Sequence, residues 1–379
     1  MDNLGDGLTR SVAIIGTRGY PSFYGGFETA VRKIAPFLAD SGWDVTVYGR
    51  PGTTRTDSPG IDPRVVSTIT RGLESKALST LSFGLTASLD AAKNRPDAAL
   101  VMNVANGYWL PLLRARGIPT VVNVDGIEWE RAKWGRAARA VFRGGAVITA
   151  KSASTLVYDS DEIAKRWVDR YHRTGDVIAY GGEPVEELPL EPGLRHREYV
   201  LMVARFVPEN SVGEFFEAAR VVAQKYDVVL VGSAGYGGAL DAEAQKLADY
   251  SPRVHWLGHV ADDARLFSLW QHAGAYFHGH SVGGTNPALV QAMACGAPTV
   301  ARETVYNREV LGEAGVFTAV DPGQIANAVM RLMADPVLQQ SLSLLAKRRA
   351  AEYYTWQSIC GKYERSLLAA IARKEGRSL

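Results

Sequence analysis

Short apolar runs rich in β-branched residues recur along the chain, separated by stretches with the spacing of helices. The runs predict strands at residues 12–15, 45–48, 65–69, 98–102, 120–124, 146–149, 155–158 and 177–180, and then at residues 199–204, 227–231, 254–257, 275–277, 299–301 and 316–318. Runs of this kind, without polar alternation, are typical of strands buried on both faces. Strands that alternate with helices predict right-handed βαβ units in parallel sheets.

A stretch rich in glycine and proline, without strand character, separates the two sets of strands near residues 181–189. We therefore expect an α/β fold of two doubly wound, Rossmann-like domains that face each other across a cleft, with ligands at the carboxyl ends of the strands. The expected parts are an N-terminal domain at residues 11–182, a linker at 183–198, a C-terminal domain at 199–355, and a final helix at 356–379 that packs back on the N-terminal domain.

Composition narrows the class of protein. The 379 residues include 42 Lys+Arg and 40 Asp+Glu, and 46% are apolar, which is ordinary for a soluble globular protein. No apolar run approaches the ~20 residues that cross a bilayer, and the first residues lack the apolar core of a signal peptide. Cys295 and Cys360 make neither a disulfide framework nor a zinc site. We expect a cytoplasmic protein, and the near-zero net charge gives no indication of nucleic-acid binding.

The first predicted strand runs into a glycine-rich loop at residues 16–28. Its spacing differs from G-x-G-x-x-G, so a nicotinamide cofactor is not indicated. Gly25 and Gly26 would let the backbone approach a ligand, and a helix that starts near Thr29 would favour an anion at its N-terminus. A plain connection between strand and helix also explains a glycine pair.

A second glycine-rich loop follows the strand predicted at residues 275–277. Thr285 or Asn286 can cap the next helix, and a proline suits its first turn. Free amides around Gly283 and Gly284 would then face a ligand with the positive end of a helix dipole behind them. This predicts a phosphate or diphosphate site that needs no metal. A capped core helix would explain the cap and the proline, but not the glycine pair.

Four segments together resemble the motifs of bacterial family-4 glycosyltransferases. They are Gly16-Thr17-Arg18-Gly19 with Gly25-Gly26-Phe27-Glu28, Asp125-Gly126-Ile127-Glu128-Trp129 with Lys133-Trp134, Arg205-Phe206-Val207-Pro208-Glu209-Asn210, and Gly283-Gly284-Thr285-Asn286-Pro287. They occur in the family's order over about residues 11–320 and are most similar to the subgroup with rhamnosyltransferase-like N-terminal domains. The resemblance implies a GT-B fold and retaining transfer of a sugar from a nucleoside diphosphate sugar, with no metal or other cofactor.

By this resemblance, Arg205 grips the donor diphosphate, a task that suits a guanidinium group. Family members often carry a lysine five residues later, where this chain has Asn210, so one positive charge is missing. The leaving group would then be held by Arg205, by the amides near Gly284 and by Arg18, which together stabilise its developing negative charge.

The family usually has two glutamates separated by seven residues in the second glycine loop, and the later one holds the ribose. This chain has Gln291 at the later position and Gly283 or Ser281 at the earlier one. Gln291 can still bond to a sugar hydroxyl, but it lacks the charge that favours two vicinal hydroxyls. A deoxyribose donor such as a dTDP-sugar and a weakened activity both agree with this change.

Further donor contacts are expected from loops that follow other predicted strands. Of His278 and His280, which flank a glycine beside the diphosphate loop, His280 is the expected ligand contact. The expected donor-binding residues are Arg18, Gly25, Gly26, Asn210, Gly232, Gly258, Val260, Gly283, Gly284, Thr285, Asn286 and Gln291.

Asp125 follows the strand predicted at residues 120–124. By the resemblance, it lies where relatives carry an acceptor-side polar residue, and it would hold an acceptor hydroxyl or the donor sugar. Retaining transfer needs no strong protein base if the leaving phosphate takes the acceptor proton, so a positioning role is expected. The alternative is an Asp that caps a helix over residues 127–139. With Arg205 and His280, Asp125 completes the expected catalytic set.

Residues 131–143 contain five cations and no acid, together with the aromatic residues Trp134 and Phe142. Such a stretch can dock on an anionic membrane and meet a lipid-linked acceptor, and Glu128, Lys133 and Trp134 are expected on the acceptor side. A solvated basic helix face with core aromatics is the alternative.

The pair Asp159 and Asp161 matches the D-x-D pattern of metal-dependent sugar transferases. A helix cap explains the pair, because it follows one predicted strand and opens a helix, and we expect no metal site.

The expected function is therefore transfer of a sugar, with dTDP-L-rhamnose as the first choice of donor, to a glycan or polyprenyl-diphosphate-linked acceptor of cell-envelope polysaccharide synthesis. The alternatives are a catalytically silent nucleotide-sugar-binding protein and a nucleotide-sugar epimerase of GT-B form. The missing glutamates argue against the epimerase, whereas Gln291 and Asn210 keep the silent protein open.

Overall fold

The computed structural model describes residues 9–22, 25–54, 61–74, 79–131, 134–235 and 237–376. Its strands are β1 (Arg10–Ile15), β2 (Trp43–Gly49), β3 (Val65–Ile69), β4 (Ala98–Met102), β5 (Thr120–Asn123), β6 (Thr155–Tyr158), β7 (Asp176–Val177), β8 (Tyr199–Val203), β9 (Asp227–Val231), β10 (Val254–Trp256), β11 (Ala275–His278), β12 (Thr299–Arg302) and β13 (Gly315–Thr318).

The helices begin and end as follows: α1 (Gly26–Asp40), α2 (Ser79–Asn94), α3 (Leu110–Ala115), α4 (Arg136–Ser152), α5 (Asp161–Tyr171), α6 (Val212–Val222), α7 (Ala239–Tyr250), α8 (Asp263–His272), α9 (Pro287–Cys295), α10 (Val305–Leu311), α11 (Pro322–Met333), α12 (Pro336–Tyr353) and α13 (Trp356–Lys374). Short 3₁₀ helices cover Val104–Trp109, Glu128–Glu130 and Pro208–Asn210.

The chain divides into two compact units, one of Met1–Ala179 with Gln357–Leu379 and the other of Tyr180–Trp356. In the first unit the strand order is β3-β2-β1-β4-β5-β6-β7, and in the second it is β10-β9-β8-β11-β12-β13. Neighbouring strands pair in parallel throughout both sheets. The expected doubly wound, Rossmann-like fold is therefore confirmed. The order reverses between β1 and β4 and between β8 and β11, which is where such sheets bind ligands.

The first unit is built around strands that are buried on both faces. All five residues of β4 are buried, because helices cover both sides of a parallel sheet. From Gln357 onward, α13 belongs to this unit. Its Tyr363 hydroxyl accepts a hydrogen bond from Asn123 Nδ2 at 2.6 Å, and Arg373 donates to Thr155 Oγ1 at 2.8 Å. These bonds attach α13 to β5 and β6.

The second unit packs its sheet against α6 and α11. Phe215 of α6 stacks on Phe277 of β11 with 4.8 Å between ring centroids. Residues 183–198, predicted as a linker, are bonded to this unit. Leu188 N donates to Gln271 Oε1 at 2.9 Å, and Ser268 Oγ donates to the carbonyl of Pro189 at 2.5 Å.

Two sequence predictions of secondary structure are wrong. Residues 146–149, predicted as a strand, lie inside α4, whose buried residues recur at helical spacing from Gly145 to Ala150. The run is one part of a longer amphipathic helix. The burial of that helix's apolar face outweighs the strand preference of the β-branched residues in the run. The helix predicted over residues 127–139 is instead the 3₁₀ helix Glu128–Glu130 followed by α4.

Candidate functional site

The loop after β8 presents a guanidinium group at the switch point of the second sheet. Arg205 lies two residues beyond the strand and is exposed. Among the residues that the structure describes, no hydrogen bond or ion pair engages its side chain. Asn210 is buried, and its Nδ2 donates to the Arg205 carbonyl at 2.9 Å. Asn210 thus shapes the turn that presents Arg205.

Two sets of bonds join this loop to the loop after the neighbouring strand β11. The amide and the hydroxyl of Ser281 both donate to the Glu209 carbonyl, at 2.9 and 2.8 Å. Ser211 Oγ donates to the Gly279 carbonyl at 2.8 Å. The two loops that carry Arg205 and His280 are therefore fixed to each other.

The second glycine loop leads directly into α9. Asn286 caps this helix, with its Oδ1 accepting from the Ala288 amide at 3.0 Å, and Gly296 ends it in the left-handed conformation, with φ 76°. The predicted cap is confirmed. Gly283 has φ 98° with open space around it, whereas Gly284 and Thr285 are buried. The loop before α9 thus combines backbone freedom at Gly283 with a helix N-terminus, as an anion site requires.

His278 and His280 form a stacked pair at the end of β11. Their ring centroids are 4.3 Å apart and their planes differ by 10°. His278 is fully buried, and its Nδ1 lies 2.9 Å from the Tyr276 hydroxyl. Burial, with a smaller effect from the neighbouring His280, holds the pKa of His278 well below its ordinary value. His278 is therefore a neutral support on which the partly exposed His280 rests.

Gln291 has partners that sequence analysis did not anticipate. Its Oε1 accepts from the Glu183 amide at 2.9 Å, and its Nε2 donates to the Glu183 carbonyl at 3.0 Å. Both ends of the side-chain amide are thus engaged by one backbone position. The predicted contact with a donor hydroxyl would require Gln291 to leave these bonds.

The loop after β9 lies against the loop after β8. Gly232 has φ 135°, and a Cβ on it would lie 1.8 Å from the Ala204 carbonyl oxygen, so only glycine fits here. Its amide donates to the Gly258 carbonyl at 2.7 Å. Gly232 and Gly258, both expected to bind the donor, are therefore neighbours, and Val260 follows nearby in sequence and is buried.

In the first unit, a carboxylate of the chain lies at the start of α1. The helix begins at Gly26, with Gly25 in an extended conformation before it. Glu28 in the first turn is buried, and its Oε1 accepts from the Arg18 amide at 3.1 Å. The positive end of this helix, assigned to an anion by sequence analysis, is thus already complemented by Glu28.

Asp125 follows β5 and belongs to a polar cluster at the carboxyl edge of the first sheet. Its Oδ2 accepts from Asn103 Nδ2 at 3.4 Å, and its Oδ1 lies 3.8 Å from Arg131 Nη2. Arg131 also pairs with Glu128, which accepts from Trp134 Nε1 at 3.0 Å. The cluster leaves the Asp125 carboxylate partly exposed beside two fixed donors, as a group that positions a hydroxyl requires.

The capping alternative for Asp125 is wrong. The 3₁₀ helix Glu128–Glu130 and α4 both begin without a side-chain cap, after Ile127 and Gly135. Of the predicted acceptor-side residues, Glu128 is buried and Trp134 is bonded to it, so both shape the cluster. Lys133 lies outside the described residues.

Two protein-family models match successive parts of the chain. A family model described as glycosyl transferases group 1 matches residues 197–335, and one described as a glycosyl transferase 4-like domain matches residues 25–181. Together they account for most of the chain. The chain belongs to the family-4 type of GT-B glycosyltransferases.

A curated relative of this glycosyltransferase is the phosphatidyl-myo-inositol mannosyltransferase of Mycobacterium leprae (strain TN). It is 28% identical over 216 residues, which are 54% of this chain and 56% of the relative. The match thus spans little more than half of that relative's length.

Solved structures show the same fold. The sucrose-phosphate synthase of Thermosynechococcus elongatus superposes with a TM-score of 0.76 at 20% identity, over 95% of this chain and 100% of that one. Anabaena HepE, in complex with UDP and glucose, has a TM-score of 0.73 at 16% identity, over the same shares. At sequence identities of 20% and below, these matches show that the glycosyltransferase shares the fold of the two proteins, and nothing about its substrates.

The D-x-D segment of this glycosyltransferase opens a helix, as predicted, but its cap is the serine between the two aspartates. Ser160 caps α5 by accepting from the Ile163 amide at 3.2 Å, and Asp161 lies in the first turn. Within the described ranges, no group of three or more His, Cys, Asp or Glu side chains is placed to hold a metal ion. No helix of the described residues is both long and apolar enough to cross a membrane.

Sequence analysis missed two residues of the glycosyltransferase that lie among the expected ones. Asn103 follows β4 and bonds to Asp125, and Arg302 ends β12 and bonds to Ser211. Both stand at the carboxyl ends of predicted strands. This position in the chain is the signal that could have found them.

Proposed function

We propose that this glycosyltransferase moves a sugar from a nucleoside diphosphate sugar to a glycan or polyprenyl-diphosphate-linked acceptor, with retention of configuration and without a metal cofactor. The observation that carries the proposal is the double hydrogen bond from Ser281 to the Glu209 carbonyl. It holds the loop of Arg205 against the glycine-rich loop before α9. An exposed guanidinium and a glycine-rich loop at a helix N-terminus then share one sheet edge, which suits a diphosphate.

In the proposed reaction, the bond between the anomeric carbon and the diphosphate oxygen breaks, and its electron pair stays on the leaving group. Arg205 and the amides after Gly283 stabilise this charge. The acceptor oxygen forms the new bond on the same face of the sugar, and its proton passes to the leaving phosphate. Asp125, fixed by Asn103, positions the acceptor hydroxyl.

For the donor, we propose dTDP-L-rhamnose first. The support is the resemblance of the motifs to the subgroup with rhamnosyltransferase-like N-terminal domains. The UDP and glucose bound in HepE make a UDP-sugar the competing choice. A thermal-shift panel of UDP, GDP, dTDP and their sugars separates them, because only a bound nucleotide raises the melting temperature. A larger shift with a UDP-sugar than with dTDP-rhamnose would replace the donor and leave the transferase intact.

Turnover separates a transferase from a catalytically silent nucleotide-sugar-binding protein. We expect release of nucleoside diphosphate that depends on an acceptor and persists in EDTA. Arg205→Gln should weaken nucleoside diphosphate binding about tenfold or more, whereas Arg331→Gln, which removes an exposed arginine of α11, should not. Binding without turnover across a panel of acceptors would favour the silent protein, and interconversion of donor sugars would favour an epimerase.

We also propose contact of α4 with anionic membrane lipids. Arg136 and Arg143 of this helix are exposed, which supports an electrostatic contact. Trp134 donates to Glu128 and packs against Phe142. We therefore assign the lipid contact to the arginines and not to the tryptophan. Vesicles with phosphatidylglycerol should sediment the protein and phosphatidylcholine vesicles should not, and Arg136→Gln with Arg143→Gln should abolish the difference. Sedimentation that is indifferent to anionic lipid would refute the contact.

A further inference from the structure

The side chain at position 210, where the family resemblance would place a cation, is an amide buried in its own loop. Asn210 is 3% exposed, and its Nδ2 is used on the Arg205 carbonyl at 2.9 Å. An amide in this position holds the turn in shape and adds no charge. If the diphosphate needs a second cation, another residue must provide it.

A guanidinium lies directly beside this position. Arg302 ends β12, and its Nη1 donates to Ser211 Oγ at 3.0 Å. Ser211 is the neighbour of Asn210 in sequence and follows β8 through the 3₁₀ helix. Because β11 lies between β8 and β12 in the sheet, the Arg302 side chain crosses the carboxyl end of β11. It therefore lies over the switch point.

The backbone of Arg302 is also fixed to the candidate site. Asn307 Nδ2 donates both to the Arg302 carbonyl, at 2.9 Å, and to the His280 carbonyl, at 3.0 Å. Ser211 itself has a left-handed backbone, with φ 54°, a conformation that costs free energy in a residue other than glycine. Its hydroxyl donates to the Gly279 carbonyl while it accepts from Arg302. Arg302 is thus tied to both loops of the site.

The charge of Arg302 is not neutralised by the chain. Within the described residues, its side chain has a hydroxyl partner and no carboxylate within ion-pair distance. The adjacent Glu303 is engaged by Arg308, whose Nη2 lies 2.8 Å from Glu303 Oε2. Partly buried arginines are usually paired with an acid or with an anionic ligand. An uncompensated guanidinium beside a diphosphate loop indicates an anion as its partner.

We propose that Arg302 is a donor-binding residue that supplies the cation lacking at position 210 and contacts the diphosphate together with Arg205. This inference rests on the proposed function, since it needs the donor at the edge of the second sheet. It adds a residue from β12 to the diphosphate contacts of the proposed reaction, which are otherwise drawn from the loops after β8 and β11. Arg302 uses one guanidinium nitrogen on Ser211. The other N–H groups of the guanidinium can donate to phosphate oxygens.

Calorimetric titration with UDP and UMP, and with dTDP and dTMP, tests the proposal, because each pair differs by one phosphate. Arg302→Gln is expected to weaken diphosphate binding about 10- to 100-fold, the effect of losing a hydrogen bond to a charged group. Monophosphate binding should change less than about threefold, since the base and ribose contacts remain. Arg331→Gln removes an exposed arginine of α11 and should leave all four affinities unchanged.

Equal losses for mono- and diphosphate, or no loss for either, in a folded Arg302→Gln protein would overturn the assignment. Arg302→Lys keeps the charge, so it should retain a preference for diphosphate over monophosphate. A lysine variant without that preference would overturn the assignment even if the glutamine variant does not fold. If the unmodified protein binds none of these nucleotides, it is the proposed function that fails, a result distinct from nucleotide binding that is indifferent to Arg302.

Discussion

Asn103 and Asp125 follow neighbouring strands of the first sheet, β4 and β5, and Nδ2 of Asn103 lies 3.4 Å from Oδ2 of Asp125. Both residues have positive φ angles, 69° and 62°. Such a backbone costs free energy in any residue other than glycine, and Asn and Asp tolerate it better than others. Paired residues with this backbone, at the carboxyl ends of parallel strands, are typical of a functional site rather than of a plain loop between strand and helix.

The first prediction concerns the carboxylate of Asp125. Asp125→Asn keeps a side chain that tolerates positive φ, so the melting temperature should stay the same. Turnover should fall about 100-fold, the effect expected when a reacting group is misplaced by about 1 Å. Steady-state kinetics of the variant test this, with Asp169→Asn, which removes an exposed carboxylate of α5, as control. A variant that is folded and fully active would leave Asp125 without a role in transfer.

The second prediction concerns the two bonds between Gln291 and the Glu183 backbone. Gln291→Glu replaces the donor to the Glu183 carbonyl with a carboxylate oxygen, so the free energy of unfolding should fall by about 1–3 kcal/mol. Urea titration measures this loss. Gln224→Glu, at an exposed position, makes the same chemical change without the bonds and should have little effect. A Gln291→Glu protein that keeps its stability and gains affinity for UDP-sugars would contradict this prediction. It would show that Gln291 faces the donor and not the Glu183 backbone.

The third prediction compares two glycines of the second unit. Gly232→Ala would bring a Cβ to 1.8 Å from the Ala204 carbonyl oxygen at a φ of 135°, and should lower the free energy of unfolding by about 2 kcal/mol or more. Gly213→Ala lies in α6 with nothing within 4 Å of the new Cβ, and should raise it by up to about 1 kcal/mol. Thermal unfolding of both variants checks the opposite signs. Equal effects would mean that the approach of Ala204 to Gly232 is not as close as described.

The fold could be predicted from the sequence because its strands are buried on both faces. Runs such as Ala98–Met102 are continuous and short, and all five residues are buried, so their length and apolar composition identify them as strands. The same signal fails at residues 146–149, where an apolar run belongs to α4. A local run cannot reveal the longer helical period that contains it.

The site could be predicted only where local chemistry decides it. Asn286 caps α9 through an amide two residues away, which a sequence pattern can show. Gln291 bonds to Glu183, 108 residues distant, and Arg302 reaches Ser211 across a whole strand. Such partners depend on the packing of the sheet. Glycine loops and caps were therefore foreseen, whereas the partners of long polar side chains were not.

The last prediction follows from the stacked pair of His278 and His280, of which His278 is fully buried. Burial first, and the neighbouring His280 second, lower the pKa of His278 well below 6.5, its ordinary value. Tyr276 and His280 are the titratable groups that contact its ring. Above pH 6.5 the imidazole is neutral in both the folded and the unfolded chain. As the pH falls below 6.5, the unfolded chain takes up a proton that folded His278 does not, so stability is lost.

The slope from this one site is at most about 1.4 kcal/mol per pH unit. His278→Gln keeps a hydrogen-bonding side chain beside Tyr276 but cannot titrate. Its free energy of unfolding, measured in urea between pH 7 and pH 5, should therefore fall less steeply than that of the unmodified protein. His259→Gln, which removes an exposed histidine of the same unit, should leave the slope nearly unchanged. Parallel slopes for the unmodified protein and His278→Gln would show that His278 becomes protonated within the fold, and the stacked pair would then contain an imidazolium.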